Sequence, residues 1–266
     1  MLNYSTLRAS AANVSSNNAW LARLAWSLGS LLIFLIFWDV AANLIDHRHL
    51  PTPLQVWHTL VQEIRTGNLL FHVGMTLARV VVSFFVAMLI GAALGLALGK
   101  SKLADKLFDS WLIFFLNLPA LVIIILCYVW FGLTETAAVL AVAINKIPNV
   151  AVTVREGARS LSRDLNEMAQ IYRFGWWKTL RHVTLPQLAP FFAAAARSGL
   201  SLVWKIVLVV ELLGRSNGVG FQLHTAFQLF DVSMILAYAV SFIIVVQIIE
   251  MGILQPIEAR VNRWRR

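Results

Sequence analysis

Four cations fall where an apolar chain should carry none. Arg79, Lys146, Arg197 and Lys205 all lie inside long hydrophobic stretches. An uncompensated cation at that depth in hydrocarbon costs about 2.5–3.5 kcal/mol even on insertion scales, so each needs a partner or a purpose. Glu211 follows Lys205 by six residues. Six helical steps turn it roughly 120° away, so the two do not easily neutralise each other within one helix. Lys146 follows Asn145 and precedes Ile147-Pro148, a polar patch with a kink. The chemistry open to Lys205 and Lys146 is to face an aqueous path and favour a small anion: a sulfonate, nitrate, bicarbonate or carboxylate. The alternatives are a salt bridge from Lys205 to Glu211 of a second copy, and snorkelling of Lys146 to the inner surface.

Other chemistries find little support. No Gly-x-x-x-x-Gly-Lys-Ser/Thr loop is present to cradle phosphate, so the chain does not hydrolyse ATP by that machinery. The histidines, His47, His49, His58, His72, His182 and His224, read as loop residues without metal-ligand spacing, and Cys127 is the single cysteine. Asp39 and Glu250 lie towards the ends of apolar runs, which argues against the proton or ion relay of a gradient-driven transporter. No nucleophile–base cluster at membrane depth suggests an intramembrane enzyme. The expected catalytic, metal-binding and cofactor-binding sets are therefore all empty.

The elements that must position these residues follow from composition. The chain has 266 residues, 59% hydrophobic and 13% charged, with a mean hydropathy of +0.74. Soluble domains carry about 25% charged residues, so this is an integral membrane protein, all-helical and polytopic. Six segments are long enough to cross: Trp26–Ile45, Met75–Gly99, Ser110–Phe131, Leu133–Thr153, Pro186–Leu213 and Val232–Leu254. Fifteen Lys and Arg flank these on one side, against three on the other. That asymmetry puts both termini and residues 155–182 in the cytoplasm, and accounts for the net charge of +9 without nucleic acid. The expected organisation is a cytoplasmic segment 1–25, a membrane domain 26–254 containing a cytoplasmic loop 155–185, and a basic tail 255–266.

Three local patterns add detail. Leu54, Val56, Trp57, Leu60, Val61 and Ile64 recur at helical spacing after Pro51 and Pro53, which predicts an amphipathic helix at the outer interface. Gly91, Gly95 and Gly99 form one face that lets another helix approach closely. Asn117 and Pro119 sit within the third apolar segment, where Pro119 removes a donor and bends the helix, a feature of spans that line a path. The segment 213–231 should lie outside near that path, with Phe221, Phe227 and Phe230 capping it or forming an interfacial belt.

One segment breaks the pattern. Arg163 to Pro190, "RDLNEMAQIYRFGWWKTLRHVTLPQLAP", is polar, basic and cytoplasmic by charge. Met168, Ile171, Tyr172, Trp176, Leu180 and Val183 recur at three- or four-residue steps, with acids Asp164 and Glu167 at the N-terminal end. Such an apolar face needs cover, from a protein or from an anionic lipid surface meeting Lys178, Arg181 and His182.

The stretch "NEMAQIYRFGWWKTLRHVTLPQL" resembles the EAA loop of the permease subunits of binding-protein-dependent ATP-binding-cassette importers. Glu167, Met168 and Ala169 occupy the first three places of that pattern; Val183, Leu185 and Pro186 occupy its end. The family's glycine falls on Arg173, with Gly175 two residues later, and this departure bears on the turn of the loop. "TLARVVVSFFVAMLIGAALGLALGKS", "LNLPALVIIILCYVWFGLTETAAVLAVA" and "ELLGRSNGVGFQLHTAFQLFDVSMI" look like the branch serving sulfonates, taurine, nitrate and bicarbonate. The resemblance implies a type I importer permease fold in a bacterial inner membrane. It implies a homodimer with two ATPase subunits, and an extracytoplasmic binding protein that delivers substrate. It assigns Glu167, Met168, Ala169, Arg173, Gly175, Leu185 and Pro186 to the ATPase contact.

Overall fold

The computed structural model describes residue 26, residues 29–45 and residues 50–256. The expected N-terminal segment 1–25, most of the basic tail, and His47 and His49 lie outside the described residues. Every regular element among those residues is helical. In chain order they are α1 (Gly29–Leu44), α2 (Pro53–Thr66), α3 (Asn68–Lys100), α4 (Lys102–Asn117), α5 (Ala120–Phe131) and α6 (Glu135–Arg159). There follow α7 (Arg163–Ile171), α8 (Trp176–Thr179), α9 (Leu185–Gly214), α10 (Val219–Gln228) and α11 (Val232–Ile249). Two π-helical turns, Leu180–Thr184 and Glu250–Leu254, join α8 to α9 and extend α11.

Caps set many of these boundaries. Thr52 and Gln55 exchange side-chain-to-backbone bonds in a capping box before α2, at 3.3 and 3.0 Å. Ser101 caps α4, Thr134 caps α6, Ser162 caps α7 and Asp231 caps α11, each accepting the backbone N–H three residues on. The outer helix α2 is amphipathic, as its spacing requires. It buries Val56 and Leu60, and Tyr238 of α11 donates to its Glu63 at 2.8 Å.

Packing centres on α3, α6 and α9. The glycine stripe of α3 lies against α6: a Cβ on Gly91 would come within 2.7 Å of Val150 Cβ. One on Gly95 would come within 2.6 Å of the Ala151 carbonyl, and one on Gly99 within 2.4 Å of Ala158 Cβ. The two backbones can approach this closely only because that face has no side chains. Val80, Val142, Val203, Val207 and Val210 fill the space between α3, α6 and α9, and Tyr238 and Phe242 bring α11 onto the same core.

Among the described residues, four helices or runs are long and apolar enough to cross a bilayer: Asn68–Lys100, Glu135–Arg159, Trp176–Gly214 and Val232–Leu254. α4 and α5 pass the same test only as a pair bent by 94°. The segment Ser110–Phe131 thus carries two helices that meet at this bend, a broken span or a re-entrant loop. Leu118 sits before proline and is driven out of the helical region, to φ −67° and ψ 127°, so the helix ends instead of kinking. The helix α3 also starts seven residues before Met75, so His72 is not a loop residue. It is buried within that helix.

Candidate functional site

The segment from Arg163 onward folds as helix, turn and helix. α7 is held to the body of the protein from its first residue: the Ser162 amide donates to Gln187 Oε1 at 2.9 Å, and Asn166 donates back to the Ser162 carbonyl at 3.1 Å. Ala169 is the buried residue of α7, and Glu167 is exposed. Of the other apolar positions expected on this face, Val183 is buried and Leu180 half-buried, whereas the rest point away from the protein. Met168 is half-exposed, Ile171 is 78% exposed and Trp176 74%, with Tyr172 and Trp177 comparable. Leu185 and Pro186 begin α9 and are also exposed.

The turn after α7 is where the sequence departs from the family pattern. The Phe174 amide donates to the Ala169 carbonyl at 2.8 Å and the Arg173 amide to the Gln170 carbonyl at 2.9 Å. This is a Schellman closure, whose penultimate residue must be left-handed. Arg173 takes that conformation, with φ 49°. Gly175 does not: its φ is −65°, extended backbone that starts α8. The chain thus keeps the left-handed turn at the place of the family's glycine, with an arginine in it.

Behind the turn, the run from Trp176 to Gly214 is continuous through the π turn and 39 residues long. At 1.5 Å per residue that is about 58 Å, against roughly 30 Å of hydrocarbon. The run is thus longer than a straight crossing of the hydrocarbon needs.

The residues expected to line a path are not brought together. Lys205 is exposed on α9 and opens on a cavity of about 670 Å³ between α9 and α11. Arg197, Ser198, Ser201, Trp204 and Gln247 share its walls. Lys146 lies elsewhere, on the α6–α9 seam, 1% exposed. Its Nζ donates to Asn149 Oδ1 at 3.0 Å, and its stem lies against Gly199. Asn117 and Pro119 sit exposed at the α4–α5 break, where the Asn117 amide donates to the Ile113 carbonyl at 2.8 Å.

Glu211 faces neither cavity nor second copy. It is buried, with Oε1 2.6 Å from Arg79 Nη1, and its Oε2 accepts from Thr76 Oγ1 and the Gly220 amide at 2.9 Å each. Arg79 grips Glu135 with two parallel bonds of 2.8 and 2.7 Å and also reaches the Asn217 carbonyl at 2.9 Å. Arg215 adds a second cation to Glu135 at 2.5 Å. His72 accepts from the Gly218 amide at 3.0 Å. Gly218 has φ 110°, and a Cβ there would fall inside the Glu211 carboxylate, so the loop closes over the ion cluster only with glycine. This network ties α3, α6, α9 and the loop before α10 together at the outer end. Sequence spacing missed its membership. Its one signal was that Arg79 and Glu211 were both charges within apolar runs and had to find partners.

The comparisons with known proteins agree on one family. Residues 87–257 match the family described as "Binding-protein-dependent transport system inner membrane component". Among curated relatives, the putative aliphatic sulfonates transport permease protein SsuC of Bacillus subtilis (strain 168) is 27% identical over 247 residues, covering 91% of this chain and 89% of its own. The taurine transport system permease protein TauC of Escherichia coli (strain K12) is 27% identical, covering 90% and 89%. The bicarbonate transport system permease protein CmpB of Synechococcus elongatus is 26% identical, covering 76% of each. In solved structures, the inward-facing MetNI methionine ABC transporter matches with a TM-score of 0.60 at 20% identity, over 71% of this chain and 93% of that one. An amino acid ABC transporter crystallised with histidines gives 0.61 at 21% identity, over 76% and 97%.

Proposed function

We propose, for a chain that belongs to the family of binding-protein-dependent transport system inner membrane components, that α7 and the tryptophan turn are the surface through which ATP drives transport. The chain is the multi-pass permease subunit of an ABC importer of the bacterial inner membrane, not a gradient-driven transporter and not an enzyme. Hydrolysis belongs to a separate ATPase subunit, and substrate arrives on a binding protein. The finer reading is a homodimer of six-span copies, with both termini and the 155–185 loop in the cytoplasm and two ATPase subunits below. ATP closure of those subunits biases the permease pair between inward- and outward-open states, because the closed ATPase pair fits only one of them.

The observation that carries this reading is the uncovered apolar surface of Met168, Ile171, Tyr172, Trp176 and Trp177. The helical run that follows, 39 residues, is longer than the hydrocarbon of a bilayer requires, which favours a protein groove over the membrane surface as the cover. Glu167 is exposed on α7, so reversing its charge acts on the partner and not on folding. Glu167→Lys should leave the protein inserted and folded, and either release the ATPase on purification or let it hydrolyse ATP without uptake. Normal uptake with normal ATPase retention in that variant would defeat the assignment.

The second half of the proposal concerns cargo. The cavity between α9 and α11 presents Lys205, Arg197 and two serine hydroxyls from α9, facing Phe242, Ile243 and Val246, with one carboxylate, Glu250, in its walls. That combination suits a small anion with an apolar portion. The names of the sulfonate, taurine and bicarbonate relatives support a small anionic solute. Lys205 is the residue on which this reading rests. Lys146, Asn117 and Pro119 join the path only if a second copy or another conformational state brings their surfaces together.

A further inference from the structure

Two ion clusters mark the ends of this fold, in opposite environments. The outer one, around Arg79 and Glu211, is buried and joins α3, α6 and α9 into one block. The inner one is covered at its centre, where Arg155 and Asp105 expose 10% and 19% of their side chains, and open at its rim; it joins that block to α4. Arg155 Nη1 of α6 lies 3.2 Å from Asp105 Oδ1 and 2.5 Å from Asp109 Oδ1 of α4. Arg159 pairs with Asp105 and, at 2.9 Å, with Glu156. Asp109, Glu156 and Arg159 each expose 40–50% of their side chains. The pairs on this exposed rim cost little to make and break, unlike those of a fully buried cluster.

Between its ends α4 is lightly held. Its buried residue is Leu112, which meets Leu98 of α3 and Ala151 of α6. Beside that contact is an apolar cavity of about 440 Å³, with Leu94, Phe108, Trp111, Phe115, Ile147 and Pro148 in its walls. At its outer end α4 stops at the 94° break, and beyond it α5 is fastened to α9 by the Tyr128 hydroxyl, which donates to the Val210 carbonyl at 2.8 Å. A helix with a hinge at one end, an ionic latch at the other and vacant space alongside can swing without disturbing the block.

We propose that α4 is such a lever, pivoting at Leu118-Pro119, and that Arg155 is the positioning residue that makes it follow α7. Arg155 is in the last turns of α6, and three residues, 160–162, connect that helix to α7. Displacement of α7 therefore moves Arg155 and Arg159 directly. The glycine stripe keeps α3 moving with α6, so the relative motion falls on α4. This rests on the reading of α7 as the ATPase contact.

The test uses the full transporter with its ATPase subunit, in a Cys127→Ser background. Leu112→Cys and Ala151→Cys place one thiol on α4 and one on α6. The rate at which a short bifunctional thiol reagent joins them is measured without nucleotide and after trapping with ATP and vanadate. The lever predicts rates that differ by at least about fivefold between the two states, the lower bound of ordinary allosteric coupling. Arg155→Gln should abolish the difference while ATP is still hydrolysed, and Arg155→Lys should restore part of it. Asp109→Asn, on the exposed side of the latch, serves as a milder version of the same cut. Equal rates in both states, or a difference that survives Arg155→Gln and Asp109→Asn, would overturn the proposal. ATPase co-purification is scored in the same samples, so a failure of α7 docking is recognised separately from a failure of the lever.

Discussion

Lys205 and Glu211 show how far single residues can be read from a sequence. Both were visible as charges in apolar runs, and the 100° step of a helix correctly separated them. The partner of Glu211 could not be found in that way, because Arg79 lies 132 positions away on α3 of the same chain. Helical spacing reports neighbours within one element and nothing across elements. The same blindness hid the Arg155 latch, whose acids Asp105 and Asp109 lie 50 and 46 positions away on α4. Lys146 and Lys205 read alike, yet one is packed against Gly199 and the other opens on a cavity. Lys205 has no hydrogen bond or ion pair among the described residues, so its removal should leave assembly intact. Lys205→Met should lower the uptake rate of an anionic substrate, with bicarbonate and an alkanesulfonate as probes, by about three- to tenfold, equivalent to roughly 1 kcal/mol in the barrier. Unaltered uptake of every anion that the wild type carries would remove Lys205 from the pathway.

Hydrophobic periodicity located the elements well, since each apolar segment contains a helix, and the amphipathic α2 was legible from six residues. Their ends were not legible. α3, α6 and the run leading into α9 continue beyond the apolar layer, where no change of hydropathy marks the end. The π turn at Leu180–Thr184 keeps that run continuous into Leu185-Pro186. The stop that does occur is at Arg173, and it carries a prediction. A left-handed non-glycine residue costs about 1–2 kcal/mol, and glycine returns roughly 0.5–1 of that as unfolded-state entropy. Arg173→Gly should therefore tighten the end of α7 by about 0.5–1 kcal/mol. Amide exchange at Phe174, whose N–H closes the turn, should slow a few-fold in detergent. Faster exchange would mean that the arginine side chain itself holds the turn.

The whole molecule has more apolar surface than one copy can cover. Ile33, Phe34, Phe37 and Leu44 of α1 are exposed, and α1 is fastened to the rest by little more than Ala42 and the bond from Trp38 Nε1 to the Pro51 carbonyl. Much of that surface meets lipid, and part of it is available to the second copy of the proposed homodimer. The membrane class and the transport family were readable from composition and from the 163–186 motif, because both are written locally. The assembly was not, because its contacts belong to other chains. The central claim is that this permease is driven by ATPase subunits seated on α7. It is tested most directly by purifying the tagged protein in mild detergent from cells that also express its ATPase, and measuring the mass and subunit ratio of the complex. Equal amounts of permease and ATPase, at the mass of two copies of each, is the result this account predicts. A folded permease dimer that comes through purification alone, with ATP-driven uptake intact in the same cells, would contradict it.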